Sequence, residues 1–514
     1  MPGAGGDSRA SGSFPFLGAN RSPTSVPGRS IVALVLMADT SAVIRTAVLN
    51  VVGLTPGLIG DHTPRIREYR ARGHSAVIDP ALPALTCTAQ SDYVTGRRPS
   101  DHGVVANGWY HRELAEVQFW KQSNHVVTSP KVWDELRAGN PAFSCATLFW
   151  WYNMYSSADW SITPRPMYPA DGRKFFDIAS WPQDIRSDIK RELGEFPFAG
   201  FWGPAAGLAS PQGGADCATR WIANSARWIE ERHSPTLSLV YLPHLDYNLQ
   251  RWGPTLPGSS PEVLNPRIIP DLRAVDTIVG DLLEFYRVRG VTVILLSEYG
   301  ITRVDTPVHL NREFRKRGWL TVKEELGLEI LDAGNSRVFA VADHQVAHVY
   351  VNDRSLRDEV QELLEDTPGV AEVWDFADKV AHGLAHPRAG DLVVFARENA
   401  WFSYYYWLDD AVAPDFARCV DIHRKPGYDP VELFLDPAIP AVKLKIAWRL
   451  LQKKLGFRML MDVIPLDATL VKGSHGARPS RQDDWPLVIS PAALPAPVLE
   501  STDLYSVIRS TVIG

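Results

Sequence analysis

The sequence predicts an α/β protein built around a mostly parallel sheet, and the prediction rests on three apolar runs and the residues that follow them. Residues 46–52, 236–242 and 292–296 are short, rich in branched side chains and separated by long helical stretches. Strands buried on both faces read in this way. The second run gives way to His244, Asp246 and Gln250, and the third to Ser297, Glu298 and Tyr299. Ligands of open α/β sheets bind beyond the carboxyl ends of the strands, so these polar residues mark a candidate site.

A second signal lies at residues 83–96, PALTCTAQSDYVTG. Pro83 presets the turn, Thr86 is a favourable N-cap type, and Gly96 is a natural helix stop. A hydroxyl at that place faces unpaired backbone N–H groups and the positive end of the helix dipole, which suits a phosphoryl group. An ordinary capped helix accounts for Thr86 equally well. Near the C-terminus, Gly473-Ser474-His475-Gly476 sets a histidine in a loop with little bulk around it.

In this order and spacing, the segments resemble the alkaline phosphatase superfamily and, within it, the nucleotide pyrophosphatase/phosphodiesterase branch. The resemblance runs discontinuously over residues 46–477. It is carried by the opening strand with Gly53-Leu54, by 83–96 followed by Pro99-Ser100-Asp101-His102-Gly103, and by Leu245-Asp246 with Trp252-Gly253-Pro254. Leu295-Leu296-Ser297-Glu298-Tyr299-Gly300 and Ser474-His475-Gly476 complete it. The resemblance implies hydrolysis of phosphate esters by a Ser or Thr nucleophile beside two divalent metals, usually zinc. Two such ions clamp the attacking and leaving oxygens. Transferred by position, Thr86 is the nucleophile, and Asp246 and His475 are ligands of one metal.

The chain also departs from that pattern. The first metal-binding Asp falls on Val52, the His four residues after Asp246 falls on Gln250, and the Asp-His pair after the third strand falls on Glu298-Tyr299. One site therefore keeps Asp246 and His475, with the amide oxygen of Gln250 as a weaker candidate. The other keeps Glu298, with Tyr299 and Thr86 as oxygen donors. Catalytic zinc takes three protein ligands, and oxygen-rich remnants suit magnesium or manganese better. Fewer than two full divalent metal sites are expected. Three readings follow: a one-metal hydrolase, a hydrolase with ligands drawn from elsewhere, and a phosphate-ester binder that no longer catalyses.

Relocated ligands have several sources. His244 precedes Asp246 by two residues, and residues 421–430, DIHRKPGYDP, gather His423, Arg424 and Lys425 with carboxylates in a turn-rich loop. Arg424 and Lys425 also suit a phosphate held without metal; a solvated surface loop is the alternative. This loop and residues 462–469 resemble a narrower group, alkaline-phosphatase-like proteins of a bacterial operon associated with metabolite traffic. That resemblance implies a phosphorylated intermediate of secondary metabolism as substrate.

Of the 514 residues, 45% are hydrophobic and 22% charged, the composition of a globular protein with one large core. A formal net charge of −6 argues against bulk attraction to nucleic acid. Cys87, Cys145, Cys217 and Cys419 are too scattered for a disulfide framework, which fits a reducing, cytoplasmic setting. Cys87 follows Thr86 at a helix start, where a thiolate is favoured; a small buried side chain is the plainer reading. Residues 1–40, rich in Gly, Ser and Pro, are expected to be a disordered leader, with Met37 as an alternative start. No eighteen-residue apolar window predicts a spanning helix.

The expected architecture is a doubly wound, mostly parallel sheet of the alkaline phosphatase type over residues 41–337 and 403–514, with a small α+β cap inserted at 338–402. Within the cap, 339–342, 348–351 and 391–395 read as strands and 355–364 as a helix. The aromatic run 401–407, WFSYYYW, suits either stacking on a ligand or core packing. Residues 442–455 form a basic amphipathic segment, either a surface helix packed on the core or a peripheral contact with an anionic membrane. The expected partner is a phosphorylated small molecule.

Overall fold

The computed structural model describes residues 43–170, 173–210 and 213–514. The expected leader and the start at Met37 lie outside them. The three apolar runs are adjacent strands at the centre of a nine-stranded sheet. Thr46–Val51 pairs in parallel with Leu237–Leu242 on one side and Thr292–Leu296 on the other. Cys145–Leu148 and Trp160–Pro164 extend the parallel array. Among the described strands of this sheet, Ile178–Trp181 and Leu487–Ser490 alone run against their neighbours.

Side-chain alternation along Thr46–Val51 accounts for the double winding. Ala47, Leu49 and Val51 join one buried cluster with residues of Cys217–His233 and Ile269–Arg287. Val48 joins a cluster on the other face with residues of Thr86–Thr95, Val132–Gly139 and Asp503–Ile513. Because successive strand side chains point to opposite faces, covering both faces with helices requires a strand that is apolar throughout. All six residues of this one are buried. Its one amide, Asn50, sits near the carboxyl end.

A second, antiparallel sheet has the order Val338–Asp343, Val346–Val351, Leu392–Ala396, Val370–Trp374. The first two strands are joined by His344-Gln345 alone, since Asp343 pairs with Val346. Two-residue hairpin loops need positive φ, which glycine adopts most easily. Here His344 takes a φ of 60°, an uncommon placement for a residue with a side chain. The hairpin is pinned to the His475 loop, where the Gln345 N–H donates to the His475 carbonyl at 2.8 Å.

The aromatic run 401–407 is core: Trp401, Phe402, Tyr404, Tyr405, Tyr406 and Trp407 are all buried in the cluster beneath the second sheet. Of the two roles open to it, stacking on a ligand is thereby removed.

Gly473 lets the His475 loop approach the Asp246 helix, His244–Trp252, because a Cβ there would stand 2.1 Å from the Leu249 carbonyl oxygen. Gly473→Ala is expected to lower stability by roughly 1–3 kcal/mol, read as a lower urea midpoint at unchanged slope. Gly139→Ala, with nothing within 4 Å of the new methyl, is expected to be neutral or mildly stabilising.

Candidate active site

Thr86 opens the buried helix Thr86–Thr95, which ends at Gly96 in the left-handed conformation. The N-cap, however, is Leu85, in extended backbone, and no side chain caps the helix. Thr86 is thus the first helical residue, and its hydroxyl bonds to the Tyr299 hydroxyl at 3.2 Å. The Tyr299 O–H in turn donates to Asp246 Oδ1 at 3.1 Å. One of the helix-start N–H groups expected to be free is taken, since Cys87 N–H donates to Asn107 Oδ1 at 3.0 Å. The Cys87 thiol is buried and pushed well above its ordinary pKa by loss of hydration, so no thiolate forms there.

Two carboxyl groups lie at the carboxyl edge of the central strands; each accepts from neutral donors only, and Glu298 Oε2 is buried without a hydrogen-bond partner. Asp246 accepts from Tyr299 and, at 2.8 Å, from Gln250 Nε2. Burial raises its pKa to about 6, with those two hydrogen bonds holding it back. Glu298 Oε1 accepts from the amides of Asn50 and Gln90. Burial raises Glu298 to about 8 against bonds from Gln90, Asn50 and Thr86. At neutral pH, Asp246 is mainly a carboxylate and Glu298 mainly a neutral acid.

Two histidines complete the cluster. His475 Nδ1 lies 2.8 Å from the Ala84 carbonyl, and His344 Nδ1 lies 2.8 Å from Asp343 Oδ1. A carbonyl only accepts, so His475 carries its proton on Nδ1. Both Nε2 atoms are buried without a hydrogen-bond partner. The rings form a stack in which Tyr299 and His475 are 3.5 Å apart, His475 and His344 3.8 Å, and His344 and Tyr428 3.6 Å. Burial keeps both imidazoles neutral, lowering each well below its ordinary pKa.

Metal sites of the two-ion type do not fit this donor set. Val52 is hydrocarbon sealed in the core, and Glu298 Oε1 is already taken by the amides of Asn50 and Gln90, so the second site lacks one carboxylate and has the other engaged. The Gln250 amide oxygen, expected as a ligand, instead accepts from the Tyr428 hydroxyl at 3.1 Å and turns its N–H to Asp246. Among the described residues no three His, Cys, Asp or Glu side chains gather as a metal-binding group, so the zinc requirement is unmet. The pair that fits a cation is Asp246 and His475. The bare Nε2 of His475 stands 3.9 Å from Asp246 Oδ1. Magnesium and manganese accept such sparse protein ligation, the remainder coming from water and phosphate oxygens.

The structure thus brings together Thr86, Asp246, Gln250, Glu298, Tyr299 and His475. It places the other candidates elsewhere. His244 faces Asp271, 2.9 Å from Nε2 to Oδ1. His423 lies against the Phe119 carbonyl. Arg424 pairs with Asp415 at the surface, whereas Lys425 is buried between Asp429 and Glu432, 2.7 Å from each. A cation neutralised by two carboxylates has no charge left for a phosphate, so the Arg424-Lys425 clamp is not formed. Sequence reasoning missed Asn50, Gln90, His344 and Tyr428. A histidine between two apolar strands, where a hairpin favours glycine, was the readable sign of His344.

The family model for type I phosphodiesterase / nucleotide pyrophosphatase matches residues 46–429, and the chain belongs to that family. An uncharacterized pyrophosphatase/phosphodiesterase of Schizosaccharomyces pombe is 24% identical over 249 residues, 46% of this chain and 41% of that protein. The chain therefore spans less than half of the length of that relative. Among solved structures, phosphonoacetate hydrolase from Sinorhizobium meliloti 1021, in complex with phosphonoformate, aligns with a TM-score of 0.56 at 12% identity, covering 92% of this chain and 96% of that one. Murine ectonucleotide pyrophosphatase/phosphodiesterase 5 aligns with a TM-score of 0.51 at 13% identity, covering 90% and 94%. At these identities the likeness is one of fold.

The raised Glu298 pKa makes stability depend on pH. A carboxyl that titrates near 4.5 when unfolded and at about 8 when folded favours the folded state below the unfolded pKa, and this contribution is lost as pH rises through the folded pKa. Glu298→Gln keeps an acceptor and a donor but cannot ionise. In chelator-treated protein it is expected to melt about 2 °C or more above wild type at pH 9 and close to it at pH 5.

Proposed function

We propose that this protein hydrolyses phosphate esters with Thr86 as nucleophile. The hydrogen-bonded series from Thr86 through Tyr299 to Asp246 is the observation that carries the reading, because it leads the hydroxyl proton to a carboxylate that is ionised at neutral pH. In the first step Thr86 Oγ1 bonds to phosphorus as the ester P–O bond breaks. The threonine proton passes to Tyr299 Oη, whose own proton passes to Asp246 Oδ1. Glu298, the neutral acid, protonates the leaving oxygen. Water then attacks the phosphothreonine, returning a proton to Glu298, while the Asp246 proton goes back through Tyr299 to Thr86. A divalent cation, held by Asp246 and His475, supplies charge stabilisation to the phosphoryl oxygens when bound.

The cluster is closed to bulk solvent, with Thr86 3% and His475 2% exposed, so an ester enters only as neighbouring side chains move. Val52 and the amide clamp on Glu298 favour a second reading, a phosphate-ester binder without turnover.

Hydrolysis of nitrophenyl phosphate mono- and diesters separates the two. Thr86→Ala is expected to lower kcat by roughly 10²- to 10⁴-fold, the range for loss of a catalytic group, with inorganic phosphate affinity little changed. Tyr299→Phe, which breaks the relay but keeps the ring stack, is expected to lower kcat and kcat/KM together. Chelation is expected to slow wild type, and added magnesium or manganese to restore it. Full activity in Thr86→Ala would remove the nucleophile from the proposal. A wild type that binds phosphate but hydrolyses neither ester class establishes the binder.

A further inference from the structure

The helix Val442–Lys454 is attached to the protein the wrong way round for a surface helix. None of its residues is buried. It is held by a charged edge: Lys445 Nζ donates to Asp462 Oδ2 at 2.9 Å, and Arg449 donates to Asp462 Oδ1 at 3.0 Å. Val442 and Ile446 are half-buried beside that edge. The other side carries Leu444, Trp448, Leu451 and Leu455, spaced four, three and four residues apart and so aligned in one stripe. These side chains are 71%, 57%, 45% and 64% exposed. An apolar stripe normally faces the core; this one faces away, and Phe457 and Leu460 prolong its exposed surface. Contiguous apolar surface of this kind marks an interaction site.

Charge decides the occupant. Residues 437–461 contain six cations, Lys443, Lys445, Arg449, Lys453, Lys454 and Arg458, and no carboxylate, in a chain of formal net charge −6. At about 100° per residue, Lys443 and Lys454 border the stripe along one margin. Leucine and tryptophan on one face, with lysines whose stems reach along it, is the composition that lies in a headgroup layer. A second exposed aromatic pair adjoins it. Lys453 donates to the Lys174 carbonyl at 3.2 Å and lies over the Phe175 ring, with Phe176 next in sequence and 48% exposed. Among the described residues no helix is long and apolar enough to cross a membrane, so the contact is with one leaflet.

We propose that this face docks the protein on the surface of an anionic lipid bilayer, with the stripe inserted at the headgroup boundary and the flanking cations on lipid phosphates or carboxylates. The test is co-sedimentation of the full chain with phosphatidylcholine vesicles and with phosphatidylcholine/phosphatidylglycerol vesicles. Binding is expected to the anionic vesicles alone and to weaken as salt is added. Trp448→Ser with Leu451→Ser is expected to reduce it about tenfold or more, with unchanged melting because both side chains are exposed. Lys443→Gln and Lys454→Gln are each expected to reduce it roughly fivefold. Equal binding to neutral vesicles, no binding to anionic ones, or undiminished binding by the stripe variant would overturn the proposal. So would a wild-type dimer that the stripe variant converts to monomer, because the stripe would then cover a second copy of this chain. Ester hydrolysis without lipid is expected to be the same in all these variants.

Discussion

Two carboxyl groups are taken out of water at the carboxyl edge of the central strands, and the arrangement of the site follows from how they are satisfied. A buried carboxylate needs either a cation or hydrogen-bond donors. At Glu298 the donors are the amides of Asn50 and Gln90, and the group is largely neutral. At Asp246 they are Gln250 and Tyr299, with the bare nitrogen of His475 nearby. The residues that break the two-metal pattern are therefore also those that stabilise the edge without it. Gln250 and Tyr299 donate where ligands would accept, and Val52 closes the far side with hydrocarbon.

Central strands were legible because burial on both faces forces a continuous apolar run, and Gly96 was legible because only a residue without a Cβ ends that helix easily. Gly96 has φ 62°, and a Cβ there would meet the Tyr505 ring at 3.0 Å. The second sheet was mostly legible for the same reason. Its strand Val370–Trp374 was not, because Ala371 and Glu372 are exposed and weaken the pattern. Thr86 was misplaced by one position. Its residue type favours the cap, yet the hydroxyl has a buried partner in Tyr299, and Leu85 takes the extended conformation instead.

What sequence could not reveal was which charged and polar groups pair with one another. Lys425 looked available beside Arg424, but it is buried between Asp429 and Glu432, which take up its charge. His244 looked like a ligand by proximity to Asp246, yet two residues along a helix turn a side chain by roughly 200°, which sends it to Asp271. Only on an extended segment would the two side chains share a face. Asn50 and Gln90 were invisible because an amide within an apolar strand or helix carries no motif, and their role exists only once Glu298 is placed between them.

The hairpin at His344 shows how the second sheet enters the chemistry of the first. Asn107 accepts from Cys87 N–H at the start of the Thr86 helix and donates to Asp343, which holds His344 against His475. The position of the nucleophile's helix and the stacking of the two neutral imidazoles are thus linked through one asparagine. The link is made of short polar contacts in a dry interior, where each group left unpaired is costly. A shift of the hairpin therefore disturbs the Thr86 helix start and the His475 ring together. The uncommon backbone of His344 fits this arrangement: glycine would satisfy the turn more easily, but it would leave Asp343 without its imidazole and His475 without one face of its stack.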